Sequence, residues 1–96
     1  MIIRLVKMSF QPQESTRFLS LYKQVHPKIL SFPGCVSVEL LHEVHDEHAY
    51  TTYSLWQNND ALEAYRQSDF FKATWTEVRK MLRSKTLAIS YRKVEI

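Results

Sequence analysis

The stretch Tyr53-Ser-Leu-Trp56-Gln-Asn-Asn-Asp60-Ala-Leu-Glu-Ala-Tyr65-Arg-Gln-Ser-Asp-Phe70-Phe-Lys-Ala-Thr-Trp75 decides the fold. It reads as a strand ending at Trp56, followed by a polar cluster that opens a short helix. Leu62 and Tyr65 lie on one face of that helix, Ser68-Asp69 breaks it, and a second helix carries Phe71 and Trp75. Large aromatics on three successive elements exceed what one small core needs. They line a pocket or they fill an interface.

Working outward, Ile2 to Phe10 alternates, with Ile2, Val6, Met8 and Phe10 on one face and Ile3, Leu5 and Lys7 on the other, the pattern of a strand. Pro12 suits the first turn of a helix, where its missing N–H leaves nothing unpaired. Phe18, Leu21, Tyr22, Val25 and Ile29 then recur at helical spacing, and Pro27 predicts a kink or an early end. Pro33-Gly34 is a stop and a turn, and Gly34 is the only glycine in the chain. Cys35 to Leu41 is a strand with Val36, Val38 and Leu40 on one face. His42 to His48 is a charged hairpin connection, and Ala49 to Trp56 is a third strand rich in Thr and Tyr. Asn58, Asn59 and Asp60 open the short helix, with Asp60 and Glu63 at capping-box spacing. Ser68 caps the next helix, whose stripe is Phe71, Trp75, Val78 and Leu82. Thr86 to Val94 closes the order as a strand.

That order is β-α-β-β-α-β with the second helix split, an α+β ferredoxin-like sandwich with an antiparallel four-stranded sheet, formed by residues 1–96 as one domain. Helices on one side cover only one sheet face, so the other should be polar. Instead both parities carry large apolar residues, such as Ile3 and Leu5 against Val6 and Met8. An uncovered apolar face of several hundred Å² invites association, so two chains are expected to pack sheet against sheet as a homodimer.

Composition excludes several classes. No apolar run approaches the roughly 20 residues of a membrane span, so no membrane partner is expected. One cysteine, Cys35, excludes an internal disulfide, and no export signal opens the chain, which suggests a cytoplasmic protein. A net charge of +3 is too modest to argue for an acidic partner. The same element order serves RNA-recognition domains, but Ala49 to Trp56 lacks their glycine and basic residues, so no nucleic-acid partner is expected. The run His42-Glu-Val-His45-Asp-Glu-His48 places histidines at every third position. It is not the helical zinc-protease spacing and reads as a solvated hairpin tip, so no metal is assigned.

The motifs Tyr53-Ser-Leu-Trp56, Ala61-Leu62, Tyr65-Arg-Gln-Ser-Asp-Phe-Phe71 and Phe32-Pro-Gly-Cys35 resemble the antibiotic biosynthesis monooxygenase (ABM) family, and the resemblance covers essentially the whole chain. It implies a dimeric α+β barrel of ferredoxin-like subunits. Members resembling heme-degrading enzymes have an Asn, a Trp and a heme-ligating His where this chain has Lys7, Tyr65 and Trp75. Indole nitrogen is a donor only and cannot ligate iron. Members resembling cofactor-independent oxygenases have an Asn, a strand-ending Trp and a Tyr. This chain keeps the Trp as Trp56, has Thr52 and Leu62 at the other two places, and offers the phenol of Tyr65 one turn later.

Cofactor-free oxygenation needs a phenol deprotonated beside O₂ in a dry pocket. The resemblance therefore implies a cofactor-independent monooxygenase acting on a small aromatic or quinol-type compound, with no cofactor. Trp56, Tyr65, Arg66 and His26 form the catalytic set: wall, donor, oxyanion partner and base. Thr52, Leu62, Phe71, Trp75 and Tyr22 form the substrate-binding set. The alternative is a non-catalytic dimeric barrel that binds a small apolar or aromatic ligand.

Overall fold

Gly34 ends one helix and starts a strand, and its backbone shows why no other residue stands there. Its φ is +83°, in the left-handed region, and an added Cβ would overlap the Cβ of Ala61. The computed structural model describes residues 1–96. Its elements are strand β1 (Ile2–Ser9), a 3₁₀ turn (Pro12–Glu14), helix α1 (Ser15–Leu30), strands β2 (Cys35–His42) and β3 (Ala49–Trp56), helices α2 (Asn59–Arg66) and α3 (Asp69–Met81), and strand β4 (Leu87–Arg92).

The sheet order is β2-β3-β1-β4, with every pair antiparallel, so each helical crossover skips one strand. This is the α+β ferredoxin-like arrangement the element order implied. No helix is long and apolar enough to cross a membrane.

Three local expectations are corrected. Helix α1 continues through Pro27 to Leu30. An interior proline costs about 3 kcal/mol, but ending the helix there would expose Ile29, which is buried against the Val38–Trp56–Leu62 cluster. It would also release the 3.0 Å contact of His26 Nε2 with the Val38 carbonyl. Strand β2 carries a bulge between Cys35 and Ser37, so Cys35 and Ser37 oppose Trp56 and Leu55 and Val36 is the extra residue. Val36 is therefore exposed, and Cys35 takes the core position beside Trp56. At α2 the cap is Asn58, whose side chain accepts from the Ala61 N–H at 2.8 Å. Glu63 does not reach back to the cap but receives the Arg66 guanidinium at 2.7 Å. Ser68 caps α3 as read, accepting from the Phe71 N–H at 3.1 Å.

The core divides in two along the strands. One cluster gathers Met8, Phe10, Phe18, Tyr50, Val78 and Met81; the other gathers Ile2, Ile29, Val38, Trp56 and Leu62. The register explains the split. Ile2 faces Trp56 and Met8 faces Tyr50 across β1 and β3, so large side chains occupy both ends of the helix-facing surface. Between them Arg4 lies between Ser54 and Ser90, and Val6 between Thr52 and Ala88. Small neighbours in the two middle rows leave space under the helices.

The opposite sheet face carries Ile3 between Leu55 and Tyr91, and Leu5 between Tyr53 and Ile89. No helix covers it, and Leu87, Ile89 and Tyr91 of β4 are all exposed. The charged hairpin after β2 is tied down by Asp46, which accepts from the His48 N–H and meets Arg83 at 2.6 Å. Two of its three histidines are engaged, each separately, and His45 is exposed. His42 stacks on Tyr50 and donates to the Glu47 carbonyl, while His48 lies 2.6 Å from Ser15 Oγ. No group of three ligating side chains converges there or elsewhere.

Candidate functional site

The space over the middle rows is a cavity of about 280 Å³, close to the lower bound of typical small-molecule sites, about 300 Å³. Sheet β1/β3 supplies its floor with Arg4, Val6, Thr52 and Ser54; α1 supplies Tyr22 and Val25; α2 and α3 supply Leu62, Tyr65, Arg66, Phe71 and Trp75.

The aromatics of the Tyr53–Trp75 stretch form a continuous wall. Trp56 and Tyr65 stack with ring centroids 5.0 Å apart and 25° between planes. Tyr65 meets Phe71 edge-on at 5.0 Å, and Phe71 leads to Trp75 at 6.0 Å. Phe32 braces Tyr65 from behind, also edge-on at 5.0 Å. Each pair adds roughly 0.5–1.5 kcal/mol beyond area burial, so the wall is stiff. Trp56 is fully buried, and its indole N–H donates to Ser54 Oγ at 3.0 Å, which satisfies the one polar atom of that ring. Its position at the end of β3 makes this possible, since residues two apart share a sheet face.

Of the residues singled out from sequence, Trp56, Tyr65, Arg66, Thr52, Leu62, Phe71, Trp75 and Tyr22 all line this cavity. His26 does not. Its ring lies against Tyr22 at 5.5 Å, and Nε2 donates to the Val38 carbonyl, fixing the helix to β2. Arg4 lines the cavity and was absent from the sequence reading. It shares the parity of Ile2, Val6 and Met8, so a cation on an otherwise apolar face was the signal that could have found it.

The polar chemistry of the cavity is unusual for its size. The Tyr22 hydroxyl and Arg66 Nε are buried with no partner. Burial holds the Tyr65 phenol well above its ordinary value and raises that of Tyr22, with Glu39 adding to the latter. Both phenols are therefore donors at neutral pH. Burial also lowers Arg4, and the Arg66 charge lowers it further, with partial relief from Glu63. Cys35, behind the wall, is pushed up by burial and stays a thiol.

Comparison with known proteins agrees with this architecture. The chain matches no curated protein. Among solved structures, it superposes on one described as an antibiotic biosynthesis monooxygenase with a TM-score of 0.92 and 17% identity, covering 99% of this chain and 100% of that one. A conserved protein from Methanosarcina mazei Go1 gives a TM-score of 0.91 at 25% identity, covering 98% and 94%. Rv0793 from Mycobacterium tuberculosis gives 0.89 at 14% identity, covering 99% and 96%. The sequence model of the family described as antibiotic biosynthesis monooxygenase matches residues 1–76, from β1 through most of α3, so the chain belongs to that family.

Proposed function

We propose that the protein is a monooxygenase that oxidises a small aromatic or quinol-type compound in this cavity without a cofactor. One observation carries the reading: an aromatic-walled cavity of about 280 Å³ into which otherwise unpartnered polar groups converge. In the reaction, a ring carbon bearing two hydrogens, the keto tautomer of a phenol, becomes a carbonyl. One oxygen atom of O₂ enters that carbonyl and the other leaves as water with both hydrogens. The substrate supplies all four electrons, so no external reductant is needed.

Trp56, Phe71 and Trp75 hold the ring and exclude water, with Leu62 and Thr52 completing its surround. Arg66 stabilises the substrate oxyanion, which favours its ionisation, while Tyr65 and Tyr22 donate to it. In this scheme the anion that meets O₂ is the bound substrate itself, and the base for its proton is water at the mouth rather than His26. The protein acts in the cytoplasm as a homodimer, joined through the uncovered sheet face carrying Ile3, Leu5, Tyr53, Leu55, Ile89 and Tyr91.

A second reading is favoured by a specific feature. The lining contains no Asp, Glu, His or Lys to act as an internal base, which suits a barrel that sequesters an aromatic ligand and does no chemistry. O₂ uptake with hydroquinone and phenolic substrates, in the absence of added metal or flavin, separates the two. Oxygenase function predicts uptake that falls at least tenfold in Tyr65→Phe. Ligand binding without O₂ uptake would overturn it in favour of sequestration.

A further inference from the structure

Apart from Tyr22 and Tyr65, every ionisable side chain lining the cavity is an arginine: Arg4, Arg66 and Arg79. Arg4 is held from the sheet. Because Arg4 and Ser90 are register partners on β1 and β4, their side chains share a face, and Arg4 Nη1 donates to Ser90 Oγ at 3.0 Å. That uses one of five guanidinium donors. Arg66 is held from the helix by Glu63 at 2.7 Å, and its Nε, buried, remains unpaired. Glu63 is the one acid against this set: it pairs with Arg66 from outside the cavity lining, and its charge also reaches Arg4.

Two guanidiniums approaching one small cavity repel each other, and their partial burial reduces the water that would screen them. The lowering of Arg4, by burial first and then by the Arg66 charge, has that origin. Glu63 answers only one of these two cationic charges, so Arg4 and Arg66 together keep an excess positive charge at the cavity. The missing partner is an anion, and the surrounding walls specify the rest of it. An inorganic anion would leave the Trp56–Tyr65–Phe71 wall uncovered. An aromatic ring with an ionised oxygen substituent covers the wall and places its charge over Arg4 and Arg66.

We propose that the cavity selects aromatic compounds carrying an anionic oxygen, a carboxylate or a phenolate, and that Arg4, positioned by Ser90, confers this selectivity together with Arg66. The inference rests on reading this cavity as the ligand site. It adds a residue and a charge requirement that an aromatic pocket alone does not impose.

Calorimetric titration with 2-naphthoate and its neutral counterpart 2-naphthamide tests the proposal. The wild-type protein should bind the carboxylate at least about tenfold more tightly than the amide, as expected for a charge-assisted guanidinium contact. In Arg4→Gln the preference should shrink to about twofold or less, with amide affinity unchanged and circular dichroism native. Arg4→Lys should retain part of the preference, because it keeps the charge but loses the fork. Should Arg4→Gln fail to fold, Arg66→Gln carries the same comparison. Equal wild-type affinity for the two ligands would overturn the charge requirement and leave the cavity reading standing. Equal weakening of both ligands by Arg4→Gln would reduce Arg4 to a structural role and also overturn the proposal. Failure of both ligands to bind would overturn the inference and the cavity reading together.

Discussion

Replacing Gly34 by alanine should destabilise the protein by two separable routes. The first is conformational: φ of +83° costs an L-residue about 1–2 kcal/mol. The second is steric, since the new methyl would overlap the Ala61 methyl of α2, and overpacking of this kind costs about 1–3 kcal/mol. Stiffening of the unfolded chain returns about 0.4–1 kcal/mol. The net expectation is a loss of about 2–4 kcal/mol, with only the steric part depending on residue 61. Ala61→Gly alone should cost up to about 1 kcal/mol through helix propensity. The double variant should then be more stable than the sum of the single effects by the steric part, about 1–3 kcal/mol. Urea denaturation followed by circular dichroism measures all four corners of the cycle. Additivity within about 0.5 kcal/mol would refute the claim that Gly34 is required by its contact with α2. The contact bears on function because α2 carries Leu62, Tyr65 and Arg66. The Gly34 carbonyl also accepts from the Gln57 N–H at 2.8 Å, which locks the turn after Trp56. Ligand affinity should accordingly fall in Gly34→Ala and recover in the double variant.

Stability should decline at alkaline pH. A phenol whose folded pKa is raised contributes stability that is fully present below its unfolded value near 10 and is lost as pH rises from there through the folded value. The slope is at most about 1.4 kcal/mol per pH unit for Tyr65; denaturation at pH 9 and 11 should show it, and Tyr65→Phe should flatten it, with an unchanged slope counting against burial of that phenol. Ile89→Glu, on the uncovered face beside Leu5, should convert the proposed homodimer to a monomer in light scattering after size exclusion. A monomeric wild type at micromolar concentration would refute sheet-on-sheet pairing. Thr52→Ile adds methyl groups above the cavity floor and should stabilise by about 1 kcal/mol while weakening ligand binding at least tenfold. Unchanged binding would show that ligands do not occupy that floor.

Much of this was legible in the strands. The span Ala49–Trp56, the break at Ser68 and the β-α-β-β-α-β order follow from alternation, capping chemistry and turn residues, all of which are local. What was not legible depends on partners distant in sequence. The bulge at Val36 exists because Cys35 opposes Trp56, a pairing no property of β2 announces. Helix α1 passes Pro27 because Ile29 and His26 find partners on β2, α2 and β3 that outweigh the lost backbone bond. His26 illustrates the limit at the site: its sequence position suited a base, but its imidazole is committed to the Val38 carbonyl. Arg4 was missed for the opposite reason. Its parity was visible, yet its meaning required knowing that the rows around it are small.

The same alternation builds two surfaces of different kinds on one sheet. Even-numbered residues of β1 and β3 face the helices, and odd-numbered residues face away. On the helix side, large residues at the ends and small ones in the middle hold a cavity open at the expense of core burial. On the outer side the middle is filled instead, by Leu5, Tyr53 and Ile89 next to the row of Ile3, Leu55 and Tyr91. A partner sheet covering that outer face would recover apolar burial that the hollow middle forgoes, at about 25 cal/mol per Å². The hollow and the sticky face are then coupled through backbone shared residue by residue: Arg4 and Leu5 are neighbours, one aimed at the ligand and the other at the partner. In the proposed dimer, a subunit with so small a core and an internal void would gain from association the stability to keep that void open, so dimerisation and ligand binding should be lost together when the outer face is charged.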